Sequence, residues 1–341
     1  LCPPLSCRFW QYGRWIEIVV DDYLPTEDDR LILCRNNEEE NEFWIALLEK
    51  AYAKLYDSYE SLKGGIITEA LVDMTGGIGE LFYMKDIMNK DLFWQTINTA
   101  LNHGAMIGCG TPQDKTERES KSSDGLIGNH AYAVTDATDV KRKDGEVVKL
   151  VRCRNPWGTK HEWNGDWSDK DEINWSTIDP VRREELNQNK PNGEFWISYF
   201  DWLSHFKDVE ICHLLPDSFE KQSTNQSKNY IPWDQAQHRG IWTAWQPTLR
   251  RDNFEIEDFL KDPQYLIYVA KTDSDRDDRL CTVICTCLQK YTRQKRQERG
   301  GQRAGNYFRL QLFRIKDPVD DARKTQDHKF YLSDLERQGD E

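Results

Sequence analysis

A histidine and an asparagine in one part of the sequence could form a catalytic acid–base pair. His130 begins an apolar, β-branched run, residues 147–153 form a second such run, and Asn155 follows it. Between the runs, residues 143–145 read Lys-Asp-Gly, the composition of a tight turn, so the runs are predicted to pair antiparallel. That pairing brings the Asn155 amide near one imidazole nitrogen of His130, while the other nitrogen can take a proton from a nucleophile.

The surrounding residues decide between this interpretation and a simpler one. A lone histidine on a strand is usually a satisfied core or surface residue, and Asn-Pro usually marks only a turn. Here His-Ala-Tyr starts at residue 130, Arg-Asn-Pro-Trp-Gly at 154 and Glu-Trp-Asn-Gly-Asp-Trp-Ser-Asp at 162. These segments closely resemble the second half of the calpain protease core. The resemblance implies that His130 is the general base, Asn155 its orienting amide and Trp157 the indole that shields their hydrogen bond from water.

Length, composition and charge exclude several classes of protein. The chain has 341 residues, 38% hydrophobic content and 13 tryptophans, which predicts two or three domains with sizeable cores. No window resembles a membrane span, and the net charge of -13 argues against a nucleic-acid partner. Nine cysteines without a repeated Cys-x-x-Cys spacing favour a reducing, cytoplasmic setting over a disulfide scaffold. A signal peptide and an initiator methionine are both lacking, so we expect a part of a longer chain.

The first part of the chain predicts a hairpin, a short strand and a helix. Residues 8–22 should form the hairpin with Gly13 at its turn, and residues 31–34 a short strand. A helix with Asn41 as its N-cap should follow. The apolar side chains predicted to line its buried face are Phe43, Trp44, Leu47, Leu48, Ala51, Tyr52, Leu55 and Tyr56. This stretch, through Gly-Gly at residues 64–65, is similar to the first half of the calpain core.

The resemblance also implies two backbone contacts to a substrate. In the family, the second glycine of such a pair and the residue before the catalytic histidine hold the substrate in extended form. The corresponding residues here are Gly65 and Asn129. The family usually has glycine at the latter position, but asparagine tolerates left-handed φ better than most residues, so the contact can survive there. Further along, residues 91–103 have a helical pattern.

A nucleophile is not evident among the cysteines. A thiolate paired with imidazole is typically found at a helix N-terminus, where its pKa falls, and none of the nine cysteines occupies such a place. In calpains the nucleophile lies in a Gly-Asp-Cys-Trp turn upstream of the segment where this sequence begins to match. Cys2 and Cys7, in a Pro-rich start, do not resemble it. We therefore expect the nucleophile segment to be missing from this chain.

Oxygen-bearing residues near the motif segments resemble the calcium ligands of calpain cores. Ordinary surface charge is the simpler explanation for such residues in a chain that is 31% charged. The resemblance instead implies one calcium ion, a hard cation that takes six to eight oxygen ligands. The implied ligands are the side chains of Glu162, Asp169, Asn192 and Glu194 and the carbonyl of Lys190. Glu42 corresponds to a ligand of a second family site, whose other ligands lie upstream.

The remainder of the chain predicts a linker and a second domain. Residues 216–229 are polar and linker-like, and strand-like runs follow at 241–244, 264–271, 281–289 and 306–315, which favours a β-sandwich. The predicted class is α+β, with a papain-like calpain protease core followed by an antiparallel β-sandwich. The domain ranges that we expect are residues 1–67 for a partial first half, 68–215 for the second half, 216–229 for the linker and 230–341 for a truncated sandwich.

The sequence therefore predicts a calcium-dependent cysteine endopeptidase of calpain type that performs limited proteolysis in the cytoplasm. A non-catalytic calpain homologue with a binding or regulatory role is the alternative, because the nucleophile is not identified. The resemblance implies protein substrates and suggests phospholipid membranes as a partner of the sandwich. It does not reveal whether a small subunit binds.

Overall fold

The structure is a computed structural model. It describes residues 5–36, 39, 41–112, 122–158, 162–187, 192–214, 264–267, 283, 285, 287, 313–315 and 335–337. The chain divides into two compact units. The first contains the described residues up to 214, and the second contains those from 264 onward.

The first unit begins with a hairpin that packs on a helix. Strands β1 (Leu5–Trp10) and β2 (Trp15–Val20) pair antiparallel. Tyr12 and Gly13 at the turn both have positive φ, the geometry that matches the twist of two-residue hairpins. Two short strands, β3 (Thr26–Glu27) and β4 (Arg30–Leu31), follow as a second pair. Helix α1 (Trp44–Leu55) then covers one face of the hairpin. The buried side chains between them are Phe9, Val20, Ala51, Tyr52 and Tyr56.

A six-stranded antiparallel sheet forms the larger part of the unit. Its spatial order is β5-β10-β6-β7-β8-β9. The strands are β5 (Ile78–Tyr83), β6 (Met106–Gly110), β7 (Ala131–Lys141), β8 (Val147–Arg154), β9 (Glu194–Ser198) and β10 (Asp208–His213). The helices associated with it are α2 (Ile67–Thr75), α3 (Lys90–Asn102), α4 (Glu172–Trp175), α5 (Pro180–Leu186) and α6 (Tyr199–His205).

Two apolar clusters hold this sheet to its helices. The larger cluster joins α3 and α6 to the central strands and includes Trp94, Ile97, Tyr132, Phe195 and Trp202. The smaller cluster joins β7, β8 and β9 to the segment around α4. Its buried members are Val140, Leu150, Trp167, Trp175, Ile178 and Trp196. Burying such large side chains contributes most of the favourable free energy of folding, roughly 1.5–3 kcal/mol for each fully buried side chain.

Helix α2 is held by buried carboxylates at both ends of its length. Its N-cap, Ile66, offers no side-chain acceptor. Glu210 of β10 replaces it, because its Oε2 accepts the backbone N–H of Thr68 at 2.6 Å and the Thr68 hydroxyl at 2.7 Å. A negative charge at this end also complements the helix dipole. The helix ends at Gly76, which is left-handed and so avoids the steric cost that other residues would meet there.

A second carboxylate, on Asp73 of α2, joins the helix to the first hairpin and to α1. It accepts hydrogen bonds from Gln11 Nε2 at 2.7 Å, from the Tyr52 hydroxyl at 2.9 Å and from the Tyr56 hydroxyl at 2.5 Å. Asp73 is 8% exposed. Because an ionised acceptor at a buried site needs several donors to offset its desolvation, this cluster is the polar connection between the hairpin layer and the sheet layer.

The sequence-based expectations for the first part of the chain need three corrections. Of the strand predicted at residues 31–34, only Leu31 lies in a strand, because β4 ends there. Asn41 is not the N-cap of α1, because the helix begins after Phe43 and has no side-chain cap. Phe43 and Trp44, at the start of α1, are 45% and 57% exposed rather than buried, because the helix packs on the hairpin through its later residues, such as Ala51 and Tyr52. The predicted hairpins at 8–22 and 143–145 and the helix at 91–103 agree with the structure.

The second unit is described only in short pieces. Strands β11 (Phe313–Ile315) and β12 (Leu335–Arg337) pair antiparallel. The first is the end of the run predicted at 306–315. Residues 264–267, the described part of another predicted strand, are not in a strand. The linker at 216–229 and the run at 241–244 lie outside the described residues. None of the described helices combines the length and apolar character that a membrane crossing requires.

The contacts of Asp73 predict a large loss of stability when its carboxylate is removed. Asp73→Ala leaves three buried donors without their acceptor, so the free energy of unfolding should fall by about 3 kcal/mol. Asp73→Asn keeps one oxygen and should lose less. Urea denaturation followed by tryptophan fluorescence measures both. The matched control is Asp91→Ala, which removes an exposed carboxylate paired with Lys149 and should cost less than about 1 kcal/mol. Equal losses for Asp73→Ala and the control would contradict this role.

Candidate active site

The register of the β7–β8 hairpin places His130 and Asn155 on the same face of the sheet. Ala133 pairs with Arg154, yet Asp136 pairs with Arg152, so Thr135 is an extra residue, a β-bulge, in β7. If the pairing continues past Arg154, Asn155 lies opposite Tyr132. Tyr132 is two residues after His130 along the chain. Opposed residues and those two apart point to one face. Without the bulge, Asn155 would lie opposite Ala133 and point to the other face.

The side chains of His130 and Asn155 are in direct contact. Nε2 of His130 lies 2.9 Å from Oδ1 of Asn155, and Asn155 is fully buried. The same Oδ1 accepts the backbone N–H of Trp157 at 3.1 Å. Because a backbone N–H can only donate, the amide atom at this position must be the oxygen. Nε2 therefore carries the proton in the neutral imidazole, and Nδ1 is the basic nitrogen.

Trp157 and Tyr132 surround the imidazole of His130. The ring of Trp157 lies 4.5 Å from it, centroid to centroid, and tilted by 52°. Tyr132 meets it edge-on at 5.2 Å. Trp157 itself is 40% exposed, so its indole contacts the imidazole and also reaches solvent. The shielding of the His130–Asn155 hydrogen bond by Trp157 stays a prediction.

The two residues predicted to contact substrate backbone differ in their conformation. Asn129, directly before His130, has a φ of 52°, in the left-handed region that asparagine tolerates. Its N–H donates to the carbonyl of Pro112 at 2.9 Å, which fixes the approach to His130. Gly65 lies exposed between a short 3₁₀ turn and α2. It is the preceding residue, Gly64, that has the positive φ, 73°.

None of the described cysteines lies where a catalytic thiol is usually found. Cys7, Cys109, Cys153 and Cys212 lie on strands, and none of the described cysteines lies in the first turn of a helix. Burial raises the pKa of the Cys212 thiol to about 11 and that of Cys153 well above its ordinary value. A raised pKa removes the thiolate that attacks a carbonyl. Cys2 and Cys281 lie outside the described residues.

Four of the predicted calcium ligands lie near one another, namely Glu162, Asp169, Asn192 and Glu194. Burial, followed by the charges of Glu162 and Glu194, raises the pKa of Asp169 to about 6. Glu162 Oε1 accepts the N–H of Gly193 at 2.9 Å, and Asn192 Oδ1 accepts the N–H of Glu194 at 2.9 Å. A partly buried carboxylate whose pKa is raised by two neighbouring carboxylates marks a place where a cation would be stabilised.

The same carboxylates do not converge on one point. In the parts of the chain that the structure describes, no group of three His, Cys, Asp or Glu side chains could hold a metal ion. Like charges repel, and the Glu162 carboxylate bonds to backbone instead. The donor set, all hard oxygen atoms, nevertheless fits calcium. Lys190 lies outside the described residues. Glu42 lies two residues before the start of α1, and its carboxylate accepts a hydrogen bond from the Asn36 amide.

Gly193 joins this acidic cluster to the His130–Asn155 pair and was not identified from the sequence. Its N–H donates to Glu162, and its carbonyl accepts the N–H of Asn155 at 2.8 Å. Gly193 has a φ of 81°, and a Cβ there would approach the carbonyl of Asn155 to 2.9 Å. The Asn-Gly dipeptide at 192–193 is a turn signal in the sequence, but its partners are remote along the chain and could not be inferred.

The geometry around His130 is that of thiol proteases in which an asparagine orients the catalytic histidine. Comparison with protein families agrees. A model described as calpain family cysteine protease matches residues 5–213, and one described as calpain large subunit, domain III, matches residues 240–337. The chain belongs to the calpain family. Its α+β fold is that of a calpain protease core followed by domain III.

The chain is also similar in sequence to individual calpains. The chain is 40% identical over 293 residues to calpain clp-1 of Caenorhabditis elegans, 41% identical to calpain-B of Drosophila melanogaster and 40% identical to the human calpain-2 catalytic subunit. Each match covers 85% of this chain but only 37%, 31% and 40% of the respective relative. The chain thus spans well under half the length of these relatives.

The raised pKa of Asp169 predicts a pH-dependent stability in metal-free protein. The folded state binds this proton more tightly than the unfolded state, whose pKa is near 3.9. The free energy of unfolding should therefore fall as the pH rises from about 4 to about 6. Asp169→Asn cannot ionise, so its advantage over the unchanged protein should grow across that window. The site is partly solvated, so we expect about 1 kcal/mol above pH 6.

Urea denaturation with a chelator present, at several pH values between 4.5 and 7.5, measures this difference. Asp166→Asn is the matched control, because that exposed carboxylate lies three residues away in the same loop. A stability difference for Asp169→Asn that does not change with pH would show that the cluster does not raise the pKa of Asp169.

Proposed function

We propose that this chain carries the base half of a calcium-dependent, calpain-type cysteine endopeptidase that performs limited proteolysis of proteins in the cytoplasm. The observation that supports it best is the contact between His130 Nε2 and Asn155 Oδ1. The contact holds the imidazole in the tautomer whose Nδ1 can take a proton from a thiol. Membership of the calpain family supplies the reaction class, hydrolysis of a peptide bond through an acyl-enzyme.

In this proposal each described residue has a limited task. His130 moves a proton between its Nδ1 and the reacting groups, and Asn155 keeps the ring orientation and stabilises the imidazolium that forms. Trp157 keeps water away from their hydrogen bond. Asn129 and Gly65 bind the backbone of an extended substrate. The thiol that attacks the substrate would not be one of the described cysteines, because none of them lies at the start of a helix and burial raises the pKa of Cys153 and Cys212.

Calcium is the proposed cofactor of this unit. The side chains of Glu162, Asp169, Asn192 and Glu194 would hold it, with the carbonyl of Lys190. Bound calcium would neutralise the repulsion among the carboxylates. Because the N–H of Gly193 donates to Glu162 and its carbonyl accepts the N–H of Asn155, order in the cluster and order at the candidate active site depend on the same residue.

The lack of a suitable described thiol also favours a second candidate, a non-catalytic calpain homologue that binds other proteins. Protein substrates or targets are the proposed partners in either case, and phospholipid is a proposed partner of the second unit. We propose no nucleic-acid partner, in keeping with the net charge of -13. The proposal does not include a small-subunit partner.

The chain as printed should not cleave casein at any calcium concentration, because none of the described cysteines is placed where His130 could activate it. A fluorescent casein assay of the purified chain tests this, with a calpain of known activity as positive control. Calcium-dependent cleavage that is lost on alkylation, and lost in a His130→Ala chain, would show that one of its own cysteines is the nucleophile.

Activity measurements on a longer form of the protein, with any residues upstream included, distinguish the two candidate functions. For a protease, His130→Ala should remove nearly all activity, whereas Asn155→Ala should leave a measurable remnant because it only orients the ring. The non-catalytic homologue would be favoured if the longer form did not cleave casein and if a peptide-directed thiol reagent alkylated none of its cysteines.

Calcium binding should depend on the charge of residue 192. Asn192→Asp adds a fourth carboxylate to the cluster and should tighten calcium binding on the order of tenfold, which corresponds to about 1.4 kcal/mol. Glu194→Gln should weaken binding. Isothermal titration of the printed chain measures both, with Asp166→Asn as a control outside the ligand set. Equal affinity in the Asn192→Asp and unchanged chains would remove residue 192 from the ligands.

A further inference from the structure

The loop that presents His130 is bonded by the hydroxyl of a buried threonine. Thr111 directly follows β6 and is 3% exposed. Its Oγ1 accepts the backbone N–H of His130 at 3.0 Å and donates to the carbonyl of Ile127 at 2.6 Å. Its own N–H donates to the carbonyl of His130 at 3.0 Å. One residue therefore bonds both backbone groups of the candidate base.

The single hydroxyl proton of Thr111 can be assigned. A second carbonyl, that of His130, lies 3.1 Å from Oγ1, but it already accepts the N–H of Thr111. The carbonyl of Ile127 is nearer, so it takes the proton. The Thr111 hydroxyl is thus both a donor and an acceptor, and a side chain of the same shape without oxygen could replace neither bond.

Tyr132 completes the support of the same loop from the other side. Its phenolic oxygen accepts the N–H of Ile127 at 2.9 Å, so both backbone groups of that 4% exposed residue are bonded by hydroxyls. Burial raises the pKa of Tyr132 to about 12, which keeps the phenol neutral at physiological pH. The backbone on either side of Asn129 is therefore fixed at Ile127 and at His130.

We propose that Thr111 is a positioning residue, whose hydroxyl holds the backbone of His130 where Nε2 meets the Asn155 amide. The inference rests on the proposed role of His130 as a base. The Nε2 to Oδ1 distance of 2.9 Å tolerates little displacement, because a hydrogen bond is lost beyond about 3.5 Å. Thr111→Val would leave the His130 N–H and the Ile127 carbonyl unbonded in a buried place, and the loop would shift to satisfy them.

The tautomer of the His130 ring reports directly whether Thr111 positions it. In the printed chain labelled with ¹⁵N-histidine, long-range ¹H–¹⁵N spectra distinguish the two neutral tautomers, and a His130→Gln chain assigns the signal. The unchanged protein should show the Nε2–H tautomer. Thr111→Val should give a mixture of both tautomers, and Thr111→Ser, which keeps the hydroxyl, should restore the single form. Thr177→Val is the matched control, since its hydroxyl donates at 2.6 Å to a backbone carbonyl beside α4.

A merely structural role for Thr111 would lower stability without changing the tautomer. A single Nε2–H tautomer in folded Thr111→Val would therefore overturn the inference. If Thr111→Val does not fold, hydrogen exchange of the unchanged protein decides. The His130 amide should then exchange at least about a hundredfold more slowly than exposed loop amides, and exchange at their rate would overturn the inference.

Asn155→Ala separates this inference from the proposed function. If Asn155→Ala mixes the tautomers and Thr111→Val does not, the role of Thr111 fails and the His130–Asn155 pair stands. If Asn155→Ala leaves the tautomer unchanged, the pair does not set the ring state, and the proposed function loses its main support together with the inference.

Discussion

The candidate site depends on one amide oxygen that serves two donors. Oδ1 of Asn155 accepts the imidazole N–H of His130 and the backbone N–H of Trp157. The backbone donor decides which end of the amide faces the imidazole, and that choice decides which ring nitrogen is basic. Chemistry at His130 is thus determined by a peptide group that has no chemical role of its own. Asn155 is fully buried, so water cannot substitute for either donor.

Buried charges organise the layers around this site. Glu210 binds the start of α2, and Asp73 binds the hairpin and α1 from the same helix. Each carboxylate is satisfied by several donors, which offsets the cost of removing it from water. The cluster of Glu162, Asp169 and Glu194 behaves differently, because its members raise the pKa of Asp169. Charges that are already balanced stabilise a fold, whereas unbalanced ones favour binding of a cation.

Local patterns in the sequence predicted local structure well. The turn at Lys143-Asp144-Gly145 defined the hairpin, and the apolar spacing of residues 91–103 defined α3 to within one residue at each end. Asn41 failed as a cap because the chain near α1 is set by packing on the hairpin and not by a capping side chain. The contacts of Thr111, Gly193 and Asp73 could not be inferred, since each joins residues that are remote along the chain and leaves no periodic signal.

The β-bulge at Thr135 limits how the length of the chain can change between the bulge and His130. Between the bulge and His130, every residue added or removed would turn the imidazole to the opposite face from Asn155, because side chains alternate along a strand. Length changes in the turn at residues 142–146 lie beyond the paired strands and leave the alternation near His130 intact. A one-residue change near His130 would therefore turn the imidazole away from Asn155, whereas a change of length at the tip of the hairpin would leave the two side chains on the same face.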